Sequence, residues 1–509
     1  MAEQEWMSEV RAMVGRGYGR VYARDDANAP MIRQRIRILP AALPREILLE
    51  RHGERFKWLA LLVVGMGMIA GVLASTSFNV AVPALSAAFG LGQDRVQWVV
   101  TGFLAALTLA MLPTPWLLDR YGFRRIFLGS NLLLAAASLA GAAATHFGLV
   151  VAVRIVQGIA AGLLQPLAML VVMRLFPPSI QGRATGVLSF GIVLAPAAAP
   201  AAAGVLLDHF GWQAVFLINL PFCAVAGALG LYLLPRADDT ARRPFDWYGV
   251  GVLCAGTLIG IELIASLRQH GPLALHTLAR IGVVALCCVL FVRHARTAAA
   301  PIVALDLFRE RSFAMGALVS LVYGVGLYAS TYLIPVFLQS ALGYDASLAG
   351  LALLPSGIAL AVVIPLAGVL TDRCSPRWIT VAGLGLFGAS FVMFAARGGA
   401  IGYGEVVVFT IVGRIGLGLV IPALTVAMLG PMQPRQLGQA SMVSNYTRQL
   451  GGALGVAIVA VLVEWWVGLY GALPGGIGKA CSQAFMLLAL TFGLALLAAV
   501  GMKRRGPRR

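Results

Sequence analysis

The chain is poor in charge and in clusters of reactive side chains. Only 12% of its 509 residues are charged, against about 25% in soluble globular domains. Its six cysteines lack the spacing of metal ligands, so neither a metal site nor a disulfide framework is predicted. Its six histidines are scattered, without a His/Asp or paired-carboxylate cluster, which argues against a membrane-embedded transferase. We therefore predict no enzyme, no catalytic residue and no cofactor.

Apolar residues dominate what is present, at 59% of the chain. Apolar runs of about 18 or more residues predict membrane-spanning helices. The predicted fold class is therefore an all-α polytopic membrane protein with 14 transmembrane helices. Their approximate limits are 58–80, 96–118, 126–145, 148–173, 184–207, 213–234, 247–267, 278–294, 314–338, 347–370, 378–396, 404–429, 445–467 and 481–502.

The net charge of +18 raises the question of nucleic-acid binding, but the distribution of the charge gives a different reason for it. If the N-terminus is cytoplasmic, 31 Lys and Arg residues fall in inner segments and only five at outer positions. This bias follows the positive-inside rule, and no groove-reading motif accompanies it. We predict a multi-pass protein of the cell inner (plasma) membrane, with both termini cytoplasmic, a lipid bilayer around it and no nucleic-acid partner.

Two short charged runs indicate an internal repeat. Asp119 follows span 2 and Asp372 follows span 10, 253 residues later, while Arg154 in span 4 and Arg414 in span 12 are 260 residues apart. Both pairs map spans 1–6 onto spans 9–14, which predicts two six-helix bundles with spans 7 and 8 inserted between them. The predicted domains are a cytoplasmic tail 1–56, an N-terminal bundle 57–235, a two-helix insert 236–312, a C-terminal bundle 313–502 and a basic tail 503–509. The first tail has no cleavable signal pattern and is too small for the output domain of a sensor.

Short motifs follow one another in a fixed order along the spans. They are Asn79-Val-Ala-Val-Pro83, the run Pro115–Arg125, Arg154 with Gln157 and Gly158, the stretch from Gly191 to Pro200, Asp246-Trp247, and Arg448-Gln449-Leu-Gly451-Gly452. Together they resemble the major facilitator superfamily, in its fourteen-helix drug:proton antiporter branch, over roughly 57–502. The resemblance implies a secondary transporter that exports drugs or toxic metabolites and changes shape between two bundles.

Both charged runs are predicted to act as a conformational latch. They lie where helices meet the cytoplasm, so ion pairs that form in one conformation can be released in the other. A partly desolvated network of this kind can bias an equilibrium by a few kcal/mol, and a simple topology anchor is the alternative. Pro115 stands where the family motif has glycine. The latch residues are Asp119, Arg120, Gly122, Arg124 and Arg125 in the first run and Asp372 and Arg373 in the second.

Arg154 is a cation within a hydrophobic span. Because such a charge costs at least about 2.5–3.5 kcal/mol on insertion scales, we expect it to face the interior and a partner, with Gln157 and Gly158 on neighbouring turns. Snorkelling to the interface is the alternative. Prolines allow span 5 to bend and small residues permit close approach of helices. The resemblance implies that Gly191, Pro196 and Pro200 form part of a gate there, with an Ala/Gly packing face as an equal alternative.

The acid that the resemblance implies for proton coupling is absent. Alignment on Asn79 places Ala74 where the family has an aspartate. Glu262 in span 7 is the best substitute proton carrier, since an intramembrane acid is a functional hypothesis by default. The resemblance implies the proton gradient as energy source, and a proton-independent metabolite carrier or facilitator of the same fold stays open.

Few polar residues are available to line a transport cavity. The candidates are Thr76, Asn79, Gln165 and Asn445, among Met, Phe, Leu and Ala. Such a cavity suits lipophilic solutes. Together with the family resemblance, which implies export, it predicts a transporter that exports small lipophilic or cationic organic compounds by proton antiport and alternating access. Some members of this family work with a periplasmic adaptor and an outer-membrane channel, and the resemblance leaves that partnership open.

Overall fold

The structure is a computed structural model that describes residues 51, 53–96, 98–235, 244–270, 274–471, 473 and 475–503. Most of the predicted tail 1–56, the segment 236–243 and nearly all of the basic tail lie outside these residues. Within the described part, a helix lies at each of the 14 predicted positions. The prediction of an all-α fold is confirmed.

The N-terminal half consists of six helical segments that we number by predicted span. The bend in α2 follows from Pro113 and Pro115, because proline removes a backbone hydrogen bond and cannot continue a straight helix. The segments are α1 (Arg55–Thr76, continuing as Phe78–Phe89), α2 (Trp98–Ala110, bent by 55° into Thr114–Tyr121), α3 (Phe123–Ala142), α4 (Phe147–Leu175), α5 (Gln181–Phe210) and α6 (a 3-10 helix Trp212–Asn219, then Leu220–Leu233).

The insert and the C-terminal half follow in the predicted order. The insert consists of α7 (Trp247–His270) and α8 (Leu275–Thr297). The C-terminal half consists of α9 (Arg311–Val336, ending in a π-helical turn), α10 (Ala346–Arg373), α11 (Pro376–Arg397), α12 (Tyr403–Leu429), α13 (Leu437–Tyr470) and α14 (Gly476–Val500).

Most of these helices are long and apolar enough to cross a membrane. Among the described residues, 11 helices meet that requirement alone, and the bent α2 makes a twelfth. The remaining two, α5 and α7, have 30 and 24 residues and occupy predicted spans 5 and 7.

Buried apolar side chains join the two halves at one end of the bundle. We call this the charged end, because α2 finishes there with Asp119 and α10 with Asp372, and α5 and α13 begin there. The core at this end contains Met111, Leu118 and Leu167 of the N-terminal half with Phe313, Val426 and Leu437 of the C-terminal half.

The cores farther from the charged end are each confined to one half. One contains Phe78 and Phe216 of the N-terminal half, and another contains Phe337 and Phe485 of the C-terminal half. Among the described core residues, the two halves therefore pack together at the charged end and not at the opposite end.

Candidate functional site

Arg154 lies on α4 and is fully buried inside the N-terminal half. Its Nε donates a hydrogen bond to Val99 O at 3.1 Å and its Nη1 donates to Ala74 O at 2.7 Å. The guanidinium also lies between the rings of Phe78 and Phe103, at 4.3 and 4.1 Å from their centroids. Carbonyl oxygens and aromatic faces therefore compensate the charge, and Arg154 does not snorkel.

A chain of buried polar groups continues from Arg154 across three helices. Arg154 Nη1 donates to Gln157 Oε1 at 2.9 Å, and Gln157 Nε2 donates to the hydroxyl of Ser138 on α3 at 2.9 Å. That hydroxyl lies 2.9 Å from Oδ1 of Asn219, at the start of the α-helical part of α6. The network holds α3, α4 and α6 together, since buried polar groups are costly unless they are paired.

Sequence reasoning missed Ser138 and Asn219. The signal that could have found them is weak: a serine in span 3, and an asparagine two residues before Pro221. Only the packing of α3 against α4 brings Ser138 to Gln157, and only the packing of α6 against α3 brings Asn219 to Ser138.

Ala74 occupies the position at which the family resemblance implies an aspartate, and it lies beside Arg154. Its carbonyl oxygen accepts from Arg154, but its methyl side chain offers no acceptor. No carboxylate occurs among the partners of Arg154 in the described part of the chain, and Arg154 Nη2 has no hydrogen-bond partner there. The residue that aligns with the family aspartate therefore contacts the buried cation through its backbone carbonyl.

Gly158 serves the approach of α2 to α4. An ideal Cβ on Gly158 would lie 2.4 Å from Phe103 O, and one on Gly162 would lie 2.2 Å from Leu107 O. Glycines four residues apart on one face allow such backbone contact. Gly158 thus keeps α2 close enough for Val99 O and Phe103 to reach Arg154.

The C-terminal half has its own polar cluster around two arginines. Arg448 Nη2 on α13 donates to Asn445 Oδ1 at 2.6 Å, and Arg414 on α12 lies near Tyr323 of α9. Tyr328 of α9 donates to Gln449 Oε1, next to Arg448. Arg414 and Arg448 are both half-buried.

The other predicted cavity residues fall in different places. The Thr76 hydroxyl donates to Val72 O in its own helix, and Asn445 Nδ2 donates to Ser441 O. Gln165 is half-buried on α4. The side chain of Asn79 lies outside the described residues.

The predicted gate lies within an unbroken helix. Gly191 is half-buried, and an ideal Cβ there would lie 3.0 Å from Cδ1 of Ile69 on α1. The side chains of Pro196 and Pro200 lie outside the described residues, so their predicted part in a gate stays a prediction.

Asp372 joins the two halves at the charged end. Its carboxylate accepts from the backbone N–H groups of Gly182 and Arg183, at 2.7 and 2.8 Å. These amides begin α5, where unpaired N–H groups and the helix dipole favour an anion. The backbones of α5 and α10 approach each other closely at glycines. An ideal Cβ on Gly182 would lie 2.5 Å from Gly368 O, and one on Gly186 would lie 3.0 Å from Gly368 Cα.

The first charged run makes contacts within the N-terminal half. Asp119 is close enough to Arg174 of α4 for electrostatic interaction, and Arg120 lies over the ring of Trp116 at 5.4 Å. Gly122 has φ +79°, a conformation that favours glycine, and it separates α2 from α3. Arg124 Nη2 donates to Leu231 O near the end of α6.

Two predicted latch residues, Arg125 and Arg373, are exposed. Asp372 is a predicted latch residue whose contact crosses between the halves.

Glu262 lies on the insert and is not among the partners of Arg154. Its carboxylate forms an ion pair with Arg280 of α8 at 3.0 Å, and its side chain is 64% exposed. The structure therefore gives the predicted proton carrier a cationic partner on the neighbouring inserted helix.

A cleft of about 1040 Å³ opens at the charged end between α2, α13 and the insert. Its wall includes Pro115 and Asp119 of α2, Gln439 of α13 and the segment around Pro301 that follows α8. Gln439 Nε2 donates to Pro301 O at 3.1 Å, and Phe245 before α7 packs against Trp116 at 4.7 Å between centroids. The segments flanking the insert thus connect α2 with α13.

Asp246 holds these segments together at the start of α7. It accepts from Gly249 N at 2.8 Å, from Ile302 N at 3.0 Å and from His294 Nε2 at 2.7 Å. Burial raises the pKa of the Asp246 carboxyl, but the hydrogen bonds from Gly249, Ile302 and His294 outweigh burial, so its pKa lies below the ordinary value. The Asp246 carboxyl is therefore ionised at neutral pH and accepts all three hydrogen bonds.

Comparison with known proteins gives consistent relatives. The family description "Major Facilitator Superfamily" matches residues 58–456. A "Multidrug resistance protein B homolog" of Mycobacterium tuberculosis (strain CDC 1551 / Oshkosh) is 29% identical over 436 residues, 84% of this chain and 80% of that protein. "Multidrug export protein EmrB" of Escherichia coli (strain K12) is 29% identical over 397 residues, 77% of each chain.

Solved structures share the fold. The human organic anion transporter MFSD10 matches with a TM-score of 0.60 at 16% identity, over 87% of this chain and 99% of that one. The proton:xylose symporter XylE matches with a TM-score of 0.59 at 14% identity, over 86% and 94%. At these identities the likeness concerns the arrangement of helices alone.

Proposed function

We propose that this chain, which belongs to the major facilitator superfamily, exports small lipophilic organic compounds by alternating access. It is a multi-pass membrane transporter rather than an enzyme, and its relatives include proteins named for multidrug resistance and export. The substrate class, the energy source and the location in the plasma membrane with both termini cytoplasmic are parts of the proposal.

The observation that carries the proposal is the one-sided packing of the two halves. They share a core at the charged end, where the Asp372 carboxylate accepts hydrogen bonds from the first amides of α5, and they have separate cores farther away. We call a contact between helices of the two halves at the charged end a seam. Alternating access requires the seams to open while the opposite end closes. On the charge distribution of the sequence, the closed end is cytoplasmic, which makes this an outward-facing conformation.

The family resemblance implies the proton gradient as energy source, used through proton antiport. Glu262 is the proposed proton carrier. A second candidate, a facilitator without proton coupling, is favoured by one observation: Ala74 has no acid to exchange protons beside Arg154. A periplasmic adaptor and an outer-membrane channel stay predictions from the resemblance.

The experiment that tests export is resistance in a host that lacks its own efflux pumps, followed by efflux from proteoliposomes. We expect resistance to some members of a panel of toxic lipophilic compounds. Unchanged sensitivity across the panel, with the protein present in the membrane, would contradict export.

Coupling is tested with Glu262→Gln and Ala74→Asp in the same proteoliposomes. If Glu262 carries the proton, its neutral variant loses acceleration by a pH gradient, whereas Arg280→Gln, which removes only its partner, retains it. If the wild type ignores the gradient, Ala74→Asp places a carboxylate beside Arg154 and should introduce gradient dependence. Ala74→Asn is the matched control, since it adds similar volume without a titratable group.

A further inference from the structure

We propose that the exported compounds are anionic: organic acids with an apolar body, whose carboxylate or sulfonate is bound by Arg448 and Arg414. This deepens the proposed function and rests on it, because it concerns the substrates of the same transporter. Under this proposal the transporter distinguishes lipophilic compounds by charge and prefers anions to cations.

In the two six-helix halves, the charges in the interiors of the described helices are cationic. Arg154 is fully buried in the N-terminal half, and Arg414 and Arg448 each lie 11 residues, or about 16 Å, along their helices from the first residue. Arg414 and Arg448 both lie near Tyr323, which is in the middle of α9.

The acids of the same helices lie elsewhere. Asp372 and Glu405 lie at helix ends, where Asp372 is bonded to the α5 amides and Glu405 pairs with Arg397. Glu262 pairs with Arg280 on the insert, and Glu464 is exposed beside Trp465. Asp372, Glu405 and Glu262 therefore have partners other than Arg414 and Arg448.

The start of α13 contacts the N-terminal half, because Ser441 Oγ donates to Pro166 O of α4 at 2.9 Å. Arg448 lies two turns further along, where α13 packs against α9: an ideal Cβ on Gly452 would meet Tyr328, and one on Gly455 would meet Val325. Transporters of two repeats bind their substrates between the repeats, near the middle of the membrane. Arg448 thus lies on the helix that joins the α9 contact to that interface.

Arg448 and Arg414 have donors to spare. A guanidinium carries five N–H donors, and one of those on Arg448 is used by Asn445. Within the described part, Arg414 has no hydrogen bond or ion pair, although it lies near Tyr323. The guanidinium of Arg154 differs, because it is fully buried inside the N-terminal half among backbone carbonyls and aromatic rings.

An unpaired cation in a membrane interior is expensive, and such residues usually mark a substrate or ion pathway. A bound carboxylate would offset that expense, whereas an ammonium compound would be repelled by both arginines. Export of an anion is also favoured by the membrane potential: 100 mV, negative inside, favours a monovalent anion outside by about 50-fold. Ala74 is then consistent with transport that requires no proton carrier.

Probes that differ in charge alone test the proposal. Three naphthyl compounds serve: 1-naphthoate, 1-naphthalenemethanol and 1-naphthylmethylamine, with matching acid, alcohol and amine sets on biphenyl and decyl bodies. Binding to the full-length protein is measured by calorimetry in nanodiscs of phosphatidylcholine, which carries no net charge. We expect acids to bind at least about 10-fold more tightly than the amines of the same body.

Variants then assign the site. Arg448→Gln and Arg414→Gln should each weaken binding of the acids by about 10- to 100-fold and leave the alcohols nearly unchanged, because a hydrogen bond to a charged group is lost. Arg448→Lys should recover part of the affinity. Arg280→Gln, on the insert, is the matched control and should change nothing. Equal weakening of acids, alcohols and amines would indicate a structural role for the arginines and overturn the proposal.

Two further outcomes separate this inference from the proposed function. If the protein binds and moves amines or alcohols but no acid, the inference fails and export stands; if it moves no compound and confers no resistance, export fails. An anionic phospholipid shares the chemistry of an organic acid, so the titration is repeated with phosphatidylglycerol added. Binding of that lipid at the arginines without binding of any free acid would also overturn the proposal.

Discussion

The two charged runs occupy equivalent positions in the two halves, and each makes the same kind of contact within its own half. Arg124 Nη2 donates to Leu231 O near the end of α6, and Arg377 Nη1, 253 residues later, donates to Met502 O just after α14. Each arginine satisfies a carbonyl at the end of the last helix of its half, where helices lack internal partners. The repeat is therefore preserved in local contacts as well as in helix order.

The runs differ at the position where each helix crosses the other half. Gly368 on α10 lets the backbones of α10 and α5 meet, whereas its equivalent on α2 is Pro115. At that second crossing, an ideal Cβ on Gly438 of α13 would meet Pro115 Cβ at 3.8 Å, an ordinary van der Waals distance. The α2–α13 crossing is wider, and the segments flanking the insert connect its two sides through Phe245 and Pro301.

The two contacts between the halves thus differ at the position where one charged run has Gly368 and the other has Pro115. The seam between α5 and α10 is closed by direct backbone contact and by the Asp372 carboxylate. The seam between α2 and α13 borders the cleft and depends on a third element, the insert. We infer that the two seams tolerate change to different extents.

The largest difference is expected for alanine at equivalent glycines. Gly182→Ala forces a methyl group against Gly368 O, and overpacking of this kind costs about 1–3 kcal/mol. Gly438→Ala adds a methyl group at an ordinary distance and should cost little. We expect roughly 5- to 100-fold faster amide exchange over 181–187 in the first variant, and little change over 437–443 in the second.

Hydrogen–deuterium exchange with mass spectrometry measures both segments in the same sample. Thermal unfolding of each variant serves as the control for general loss of structure. An equal increase in amide exchange in the two variants would show that the two seams tolerate an added methyl group equally, which would contradict the inferred difference between them.

The sequence predicted the helices and the repeat because both depend on local patterns. Long apolar runs specify membrane helices, and the spacing of Asp119 and Asp372 specifies the duplication. It also predicted that Arg154 lies in the interior, since the burial of a charge in an apolar span has few solutions. Contacts between distant segments were not predictable, because tertiary packing alone produces them. Ser138 contacts Gln157 and Asn219, and Pro301 contacts Gln439.

A smaller effect is expected for the carboxylate at the closed seam. Asp372→Asn leaves one oxygen to accept a hydrogen bond and removes the charge that the α5 amides stabilise. A loss of about 1–2 kcal/mol is expected for a charge-assisted hydrogen bond, which corresponds to about 5- to 30-fold faster exchange of the Gly182 and Arg183 amides. Asp119→Asn is the matched control and should leave these amides nearly unchanged, so an equal effect of both variants would contradict the assignment.

The smallest effect concerns Asp246, which fixes the segments flanking the insert at the wider seam. Its pKa lies below the ordinary value of about 3.9, because the hydrogen bonds from Gly249, Ile302 and His294 outweigh burial. A carboxyl with a lowered pKa in the folded state stabilises the protein above the ordinary pKa, and that stabilisation is lost as the pH falls through the folded value. The melting temperature of the wild type should therefore exceed that of Asp246→Asn by a constant few degrees from pH 7 to about 5, and the difference should shrink below about pH 4. Thermal unfolding in detergent across this range measures it, and a difference that is unchanged at low pH would show that the Asp246 charge does not hold the wider seam.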